Sequence, residues 1–292
     1  MPLRARFVQG NKRLVRQRAV QDRALERELD NVEKQYQRSL TKALRIASKD
    51  GEAVRTVLTE GDSWFRYPIG KSIPYYVNKH DRTEVLNLAS PGDEGKAMLG
   101  FKQRERLIRV LKNGPMPRKK FDVLMFSAGG NDLLGGGAFH YWLQPYEAGM
   151  TPNDILDSQH LKHAFGMLDV IYEELFDLRD KHSKKTTIYT HAYDFAQANN
   201  KGVCGLGPWL YPSLKSKRIP KSLHNPIVEE LLKRFRKRLV SLSRKGDKIR
   251  FIETQGLLKP NQWPNEIHPN NSGFKRLAKQ FTQALDEDFP IK

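Results

Sequence analysis

Four short clusters in this chain carry side chains suited to acyl transfer. Gly61-Asp62-Ser63-Trp64 follows an apolar run at residues 54–58, so the serine is offered at the end of a predicted strand. In an open α/β sheet the carboxyl ends of the strands open into the crevice where ligands bind. Gly92 follows Asn87-Leu88-Ala89-Ser90-Pro91, Asn131 stands in Gly129-Gly130-Asn131-Asp132, and His268 stands in Asn265-Glu266-Ile267-His268-Pro269. Taken singly, each has a plain alternative: a turn, a turn glycine, a helix cap, a loop histidine. Taken together they meet the needs of a serine nucleophile. A serine hydroxyl attacks a carbonyl poorly at its own pKa and requires a base within hydrogen-bond reach, which His268 supplies. The resulting oxyanion requires fixed donors, and the backbone N–H groups of Ser63 and Gly92 with the side-chain amide of Asn131 are the candidates. No metal-ligand spacing and no cofactor motif accompanies these residues, so the reading expects neither.

The four clusters, in this order and strand context, resemble the SGNH hydrolases, also called the GDSL esterase/lipase family. The resemblance runs from about Val54 to Leu285. It implies a three-layer α/β/α flavodoxin-like fold with a central parallel sheet of about five strands, and Ser63, Gly92, Asn131 and His268 as the namesake residues. It also implies hydrolysis of carboxylic esters through an acyl-enzyme, with short acyl or O-acetyl esters as expected substrates. Two positions depart from the family pattern. Trp64 replaces the leucine that often follows the first block, and Asn265 stands where an aspartate usually precedes the histidine by three residues. An asparagine oxygen still accepts a hydrogen bond from the imidazole, as in Cys-His-Asn hydrolases, but brings no charge to steady an imidazolium. Glu266 or a backbone carbonyl are the alternatives for orienting His268.

Elements must carry these clusters to one place. Strands are expected at 54–58, 84–88, 121–126, 186–190 and 249–252, and helices at 96–111, 155–179, 226–242 and 272–285. Such alternation predicts a parallel sheet covered on both faces. Right-handed crossovers then place every carboxyl end on one edge. Thr190-His191-Ala192-Tyr193-Asp194 ends the fourth strand, so Tyr193 and Asp194, with Trp64, are expected substrate contacts. The segments 135–153 and 194–225 are long and rich in Gly, Pro and aromatics, as lids and binding loops are.

Upstream, Leu25, Leu29, Val32, Tyr36, Leu40 and Ala43 recur every three or four residues, which predicts a helix with one apolar stripe. A boundary at Lys49-Asp50-Gly51 divides a basic helical extension, 1–50, from a hydrolase domain, 51–292. The hydrophobic share of 38% is enough for a sizeable core. The formal charge of +18 is concentrated: residues 1–50 hold 13 Lys/Arg against 6 Asp/Glu, and 213–250 hold 13 against 3. Those two segments are the expected contacts for a polyanion or an anionic membrane, and a weakly catalytic or non-catalytic protein binding through them is the rival reading. No window approaches the roughly 18 apolar residues of a membrane span. A single cysteine, Cys204, forms no internal disulfide. With no apolar leader in the first residues, the expected location is cytoplasmic.

Overall fold

Strand β1 (Arg55–Gly61) is buried from end to end, as a strand at the centre of a two-sided sheet must be. The computed structural model describes residues 2–291, with the side chains of 2–23, 25, 50, 101 and 158 outside the described set. Around β1 lie β2 (Thr83–Asn87), β3 (Val123–Ser127), β4 (Thr187–Thr190) and β5 (Ile249–Phe251), in the order β2-β1-β3-β4-β5 and all parallel. This is the flavodoxin-like order, whose direction of winding reverses between β1 and β3. Gly61 pairs with Ser127, so these two strands finish level at the crevice.

The helices are α1 (Pro2–Asp50), α2 (Ile73–Val77), α3 (Gly95–Met98), α4 (Phe101–Asn113), α5 (Gly130–Leu134) and α6 (Ala138–Tyr141). They continue with α7 (Pro152–Ile155), α8 (Ser158–Ser183), α9 (Tyr211–Ser216), α10 (His224–Ser243) and α11 (Asn271–Asp288). Side chains alternate across a sheet. Met125 pairs with Tyr189, and the Tyr189 hydroxyl donates to Ala284 O on α11 at 3.0 Å. One residue on, Phe126 packs against Tyr172 of α8, and Thr190 meets Ser243 of α10. Hence α8 and α10, with α4 beside α8, cover one face, while α11 and α2 cover the other.

The helix expected at 96–111 is broken into α3 and α4. Gly100 is extended there (φ −102°, ψ 145°), and Gly95 presses so close to Ile171 that an added Cβ would lie 3.0 Å from it. Likewise the helix expected from 155 begins afresh at 158, because Asp157 caps it by accepting the His160 N–H at 2.8 Å. Loop 135–153 contains α6 and ends at α7, and loop 194–225 contains α9.

The described part of α1 is built into the domain. Leu29, Tyr36, Leu40 and Ala47 are buried, and Tyr36 meets Phe121 with ring centroids 6.1 Å apart. Acidic residues of α1 reach back to the domain: Glu26 to Lys102, Glu28 to Arg66, Asp30 to Arg106 and Glu33 to Arg109. Through Leu29, Tyr36, Leu40 and Ala47 the described part of α1 shares one core with the rest. Deleting residues 1–50 is expected to destabilise the fold by several kcal/mol, at about 1.5–3 kcal/mol per large buried side chain. A urea titration reads the loss directly. The basic residues of 1–23 lie outside the described side chains.

Part of the second basic segment is met by the protein's own carboxylates. On α10, Arg234 pairs with Glu230, Arg236 with Glu253 and Arg238 with Asp169 of α8, and beyond its end Lys245 reaches Glu173. Among the described residues no helix is long and apolar enough to cross a membrane.

Candidate active site

Ser63 sits in a turn held open by its neighbour. The Asp62 N–H donates to Ser127 O at 3.2 Å, and Asp62 O accepts from the amides of Phe65 and Arg66, each at 3.0 Å. Its carboxylate accepts from Trp64 N at 3.0 Å, Ser127 Oγ at 3.1 Å and the Tyr193 hydroxyl at 2.6 Å. Burial raises the Asp62 pKa to about 7, against the pull of these donors. Gly61 is required by close approach, since a Cβ there would lie 2.8 Å from that of Ser127. The turn is a rigid bracket with the serine at its tip.

His268 Nε2 lies 2.8 Å from Ser63 Oγ. The other ring nitrogen, Nδ1, is 3.2 Å from Asn265 Oδ1. The same oxygen accepts the backbone N–H groups of Ile267 (3.1 Å) and His268 (2.9 Å), which identifies it as oxygen rather than the amide nitrogen. Nδ1 must then carry the ring proton, and Nε2 is left bare to accept from the serine hydroxyl. The Tyr67 ring stacks on the imidazole at 4.7 Å, and Trp209 meets it edge-on at 5.6 Å. Burial lowers the His268 pKa from 6.5 to about 4, because the charged imidazolium is denied water.

Glu266 does not orient the ring. Its carboxylate accepts the backbone N–H groups of Asn200, Trp209, Leu210 and Tyr211, which ties loop 194–225 to the histidine loop. Nor does a backbone carbonyl take the place, for Nδ1 faces the Asn265 amide oxygen.

Among the oxyanion candidates, Asn131 lines the cleft beside Ser63. Its Nδ2 donates one hydrogen to Asp93 O at 2.9 Å, leaving the second for a ligand. A side chain at Gly130 would strike the Tyr193 ring at 2.7 Å, so only glycine lets Asn131 approach along this path. Among the described residues the backbone N–H groups of Ser63 and Gly92 have no hydrogen-bond partner. Gly92 is exposed, with φ +83°, in the turn that leads to Asp93.

Trp64, Tyr193 and Asp194 border the cleft, but their polar atoms are engaged within the protein. Trp64 Nε1 donates to Ile267 O at 2.9 Å, joining the serine turn to the histidine loop. The Tyr193 hydroxyl is held by Asp62, and the residue's φ of +60° is locked by Thr254 Oγ1 donating to its carbonyl at 2.8 Å. Asp194, expected to meet substrate hydroxyls, instead accepts the amides of Phe195, Gly256, Leu257 and Leu258. A carboxylate with four donors already on it organises loops. Sequence reasoning missed the bracket role of Asp62 with Ser127, the anchor role of Glu266 and the rings of Tyr67 and Trp209 against His268. Only the Asp62 role had a local cue, its place inside the serine cluster.

No family model matches this chain, and no curated protein matches it. Similar solved structures include a candidate GDSL-like lipase from Parabacteroides merdae, at 16% identity over 80% of this chain and 95% of that one, with a TM-score of 0.49. An extracellular lipase from Streptomyces rimosus is 15% identical over 79% of this chain and 100% of its own, with a TM-score of 0.46. A catalytic mutant of an acetylxylan esterase from Geobacillus stearothermophilus is 13% identical over 81% and 95%, also with a TM-score of 0.46. Likenesses of this size assign no activity.

Proposed function

We propose that this protein hydrolyses carboxylic esters through an acyl-serine intermediate. The observation that carries this reading is the chain of contacts from Ser63 Oγ to His268 Nε2 at 2.8 Å and from His268 Nδ1 to Asn265 Oδ1 at 3.2 Å. Ser63 Oγ attacks the ester carbonyl as its proton passes to Nε2. The tetrahedral oxyanion is met by the free hydrogen of Asn131 Nδ2 and the N–H of Ser63, with Gly92 N–H as the third donor of the reading. Collapse breaks the bond to the alcohol oxygen, which takes the proton from Nε2. Water, deprotonated by the same nitrogen, then attacks the acyl-serine, and the acid departs as Ser63 recovers its hydrogen. The direct test is mass analysis after rapid quenching with p-nitrophenyl acetate. One acetyl group is expected on the peptide that contains Ser63; an unmodified Ser63 under turnover would sink the proposal.

A pH profile follows from the buried, uncharged surroundings of the imidazole. The base works only when neutral, so the acid limb of kcat/KM is expected near pH 4 rather than at the ordinary histidine value of 6.5. Asn265→Asp places an anion against Nδ1, which favours the imidazolium and raises the pKa. The acid limb of that variant is expected at higher pH than in the wild type, and identical limbs would remove Asn265 from the ring's environment.

Contact with a polyanion or anionic membrane enters the reading as a recruitment step. Its support is the sequence of residues 1–23, with seven Lys/Arg against one Asp. Retention on anionic vesicles at low salt, lost at high salt, is the expected result.

A further inference from the structure

His268 gains a positive charge each time it takes the Ser63 proton, yet among the described residues no carboxylate hydrogen-bonds to its ring. Nδ1 faces the neutral amide of Asn265 at 3.2 Å, and both oxygens of Glu266 are committed to backbone N–H groups. The residue is buried, so water does not solvate the charge either. What the imidazole does meet is Tyr67. The two rings lie 4.7 Å apart between centroids, with 28° between their planes. An aromatic face carries negative potential and attracts a cation within about 6 Å of its centre, more strongly where water is excluded. Among the described residues no lysine or arginine lies over the Tyr67 ring; the cations that cover aromatic faces sit on Tyr75, Phe195 and Phe251. Tyr67 is also held in place, since its hydroxyl oxygen accepts from Asn265 Nδ2 at 3.3 Å and its ring leans on Phe274 of α11 at 5.7 Å. Burial pushes its phenol pKa up, so it offers a ring and not a phenolate.

We propose that Tyr67 is a positioning residue whose π face stabilises the imidazolium formed when His268 takes the Ser63 proton, in place of the anion that Asn265 does not supply. The inference rests on the ester-hydrolase reading and assigns that reading a further residue. The path of the proton is unchanged: it leaves Ser63 Oγ for Nε2 and passes on to the departing alcohol oxygen. A π face holds the charged ring more tightly than the neutral one. The gain is therefore made in the transition state and not in binding the ester.

The test is a ring series at position 67 of the full chain: Tyr67→Phe first, then phenylalanine carrying one, two and three ring fluorines. Fluorine drains the face of negative potential with little change in size, so a role in packing alone leaves the series flat. With p-nitrophenyl acetate, kcat/KM is expected to fall at each step, by roughly 5–30-fold in all from Tyr67→Phe to the trifluoro ring. Asn265→Asp supplies the missing anion, and the same series in that background is expected to lose most of its slope, because the two devices serve one charge. A flat or rising series with Asn265 in place, or equal slopes in the two backgrounds, overturns the inference. Acetyl transfer to Ser63 in the wild type, followed by mass, then shows that the esterase reading still stands. A wild type that never acylates removes that reading, and the inference with it.

Discussion

Ser63→Ala is expected to lower ester turnover by roughly three to six orders of magnitude, and His268→Ala by a similar factor. The two losses should not add. The 2.8 Å contact makes the hydroxyl and the imidazole one nucleophilic unit, so removing either partner leaves the other with nothing to do. Residual activity over water would come from the Asn131 amide and backbone donors, which neither substitution touches. The double variant is therefore expected to be no slower than the worse single one. Rates on p-nitrophenyl acetate check this, with an active-site titration to exclude contamination by wild type. Full turnover in Ser63→Ala would mean that another group attacks, and multiplicative losses would mean that the two residues act in separate steps.

Glu266→Gln is expected to destabilise the protein by about 2–4 kcal/mol without changing the side chain's size. Both oxygens of Glu266 accept backbone N–H groups, Oε1 those of Asn200 and Tyr211, Oε2 those of Trp209 and Leu210. Glutamine keeps one acceptor and turns an NH₂ toward two of these backbone donors, which loses both hydrogen bonds at a fully buried side chain. A lowered urea midpoint at unchanged m-value is the expected signature. Turnover should fall as well, since the same carboxylate holds Trp209 against the His268 ring and adjoins Asn265. A midpoint equal to wild type would show that the loop is held by its other contacts.

Much of this arrangement was legible beforehand because it follows local rules. Alternating strands and helices gave the parallel sheet, since each element needs a partner for its apolar face. Strand ends came within a few residues. The break between α3 and α4 falls at Gly100, whose backbone is extended where the apolar periodicity alone runs one helix through. The fate of acidic and basic side chains was also hidden. Arg238 reads as free charge in the sequence, but in space it faces Asp169, 69 positions away. Asp194 and Glu266 look like candidate substrate or ring contacts on a loop, yet both lie where converging backbone amides claim their oxygens.

By itself the sequence determined that a serine, a histidine and an asparagine would arrive at one edge of a parallel sheet, because strand direction and right-handed crossovers leave no other edge for them. Only the tertiary structure decided which nitrogen of His268 faces the serine, that Asn265 rather than Glu266 sets the ring's proton, and that Leu29, Tyr36, Leu40 and Ala47 of α1 belong to the core. These outcomes depend on contacts between segments far apart in the chain, with geometry set to within a few tenths of an ångström, and residue order carries no record of such distances.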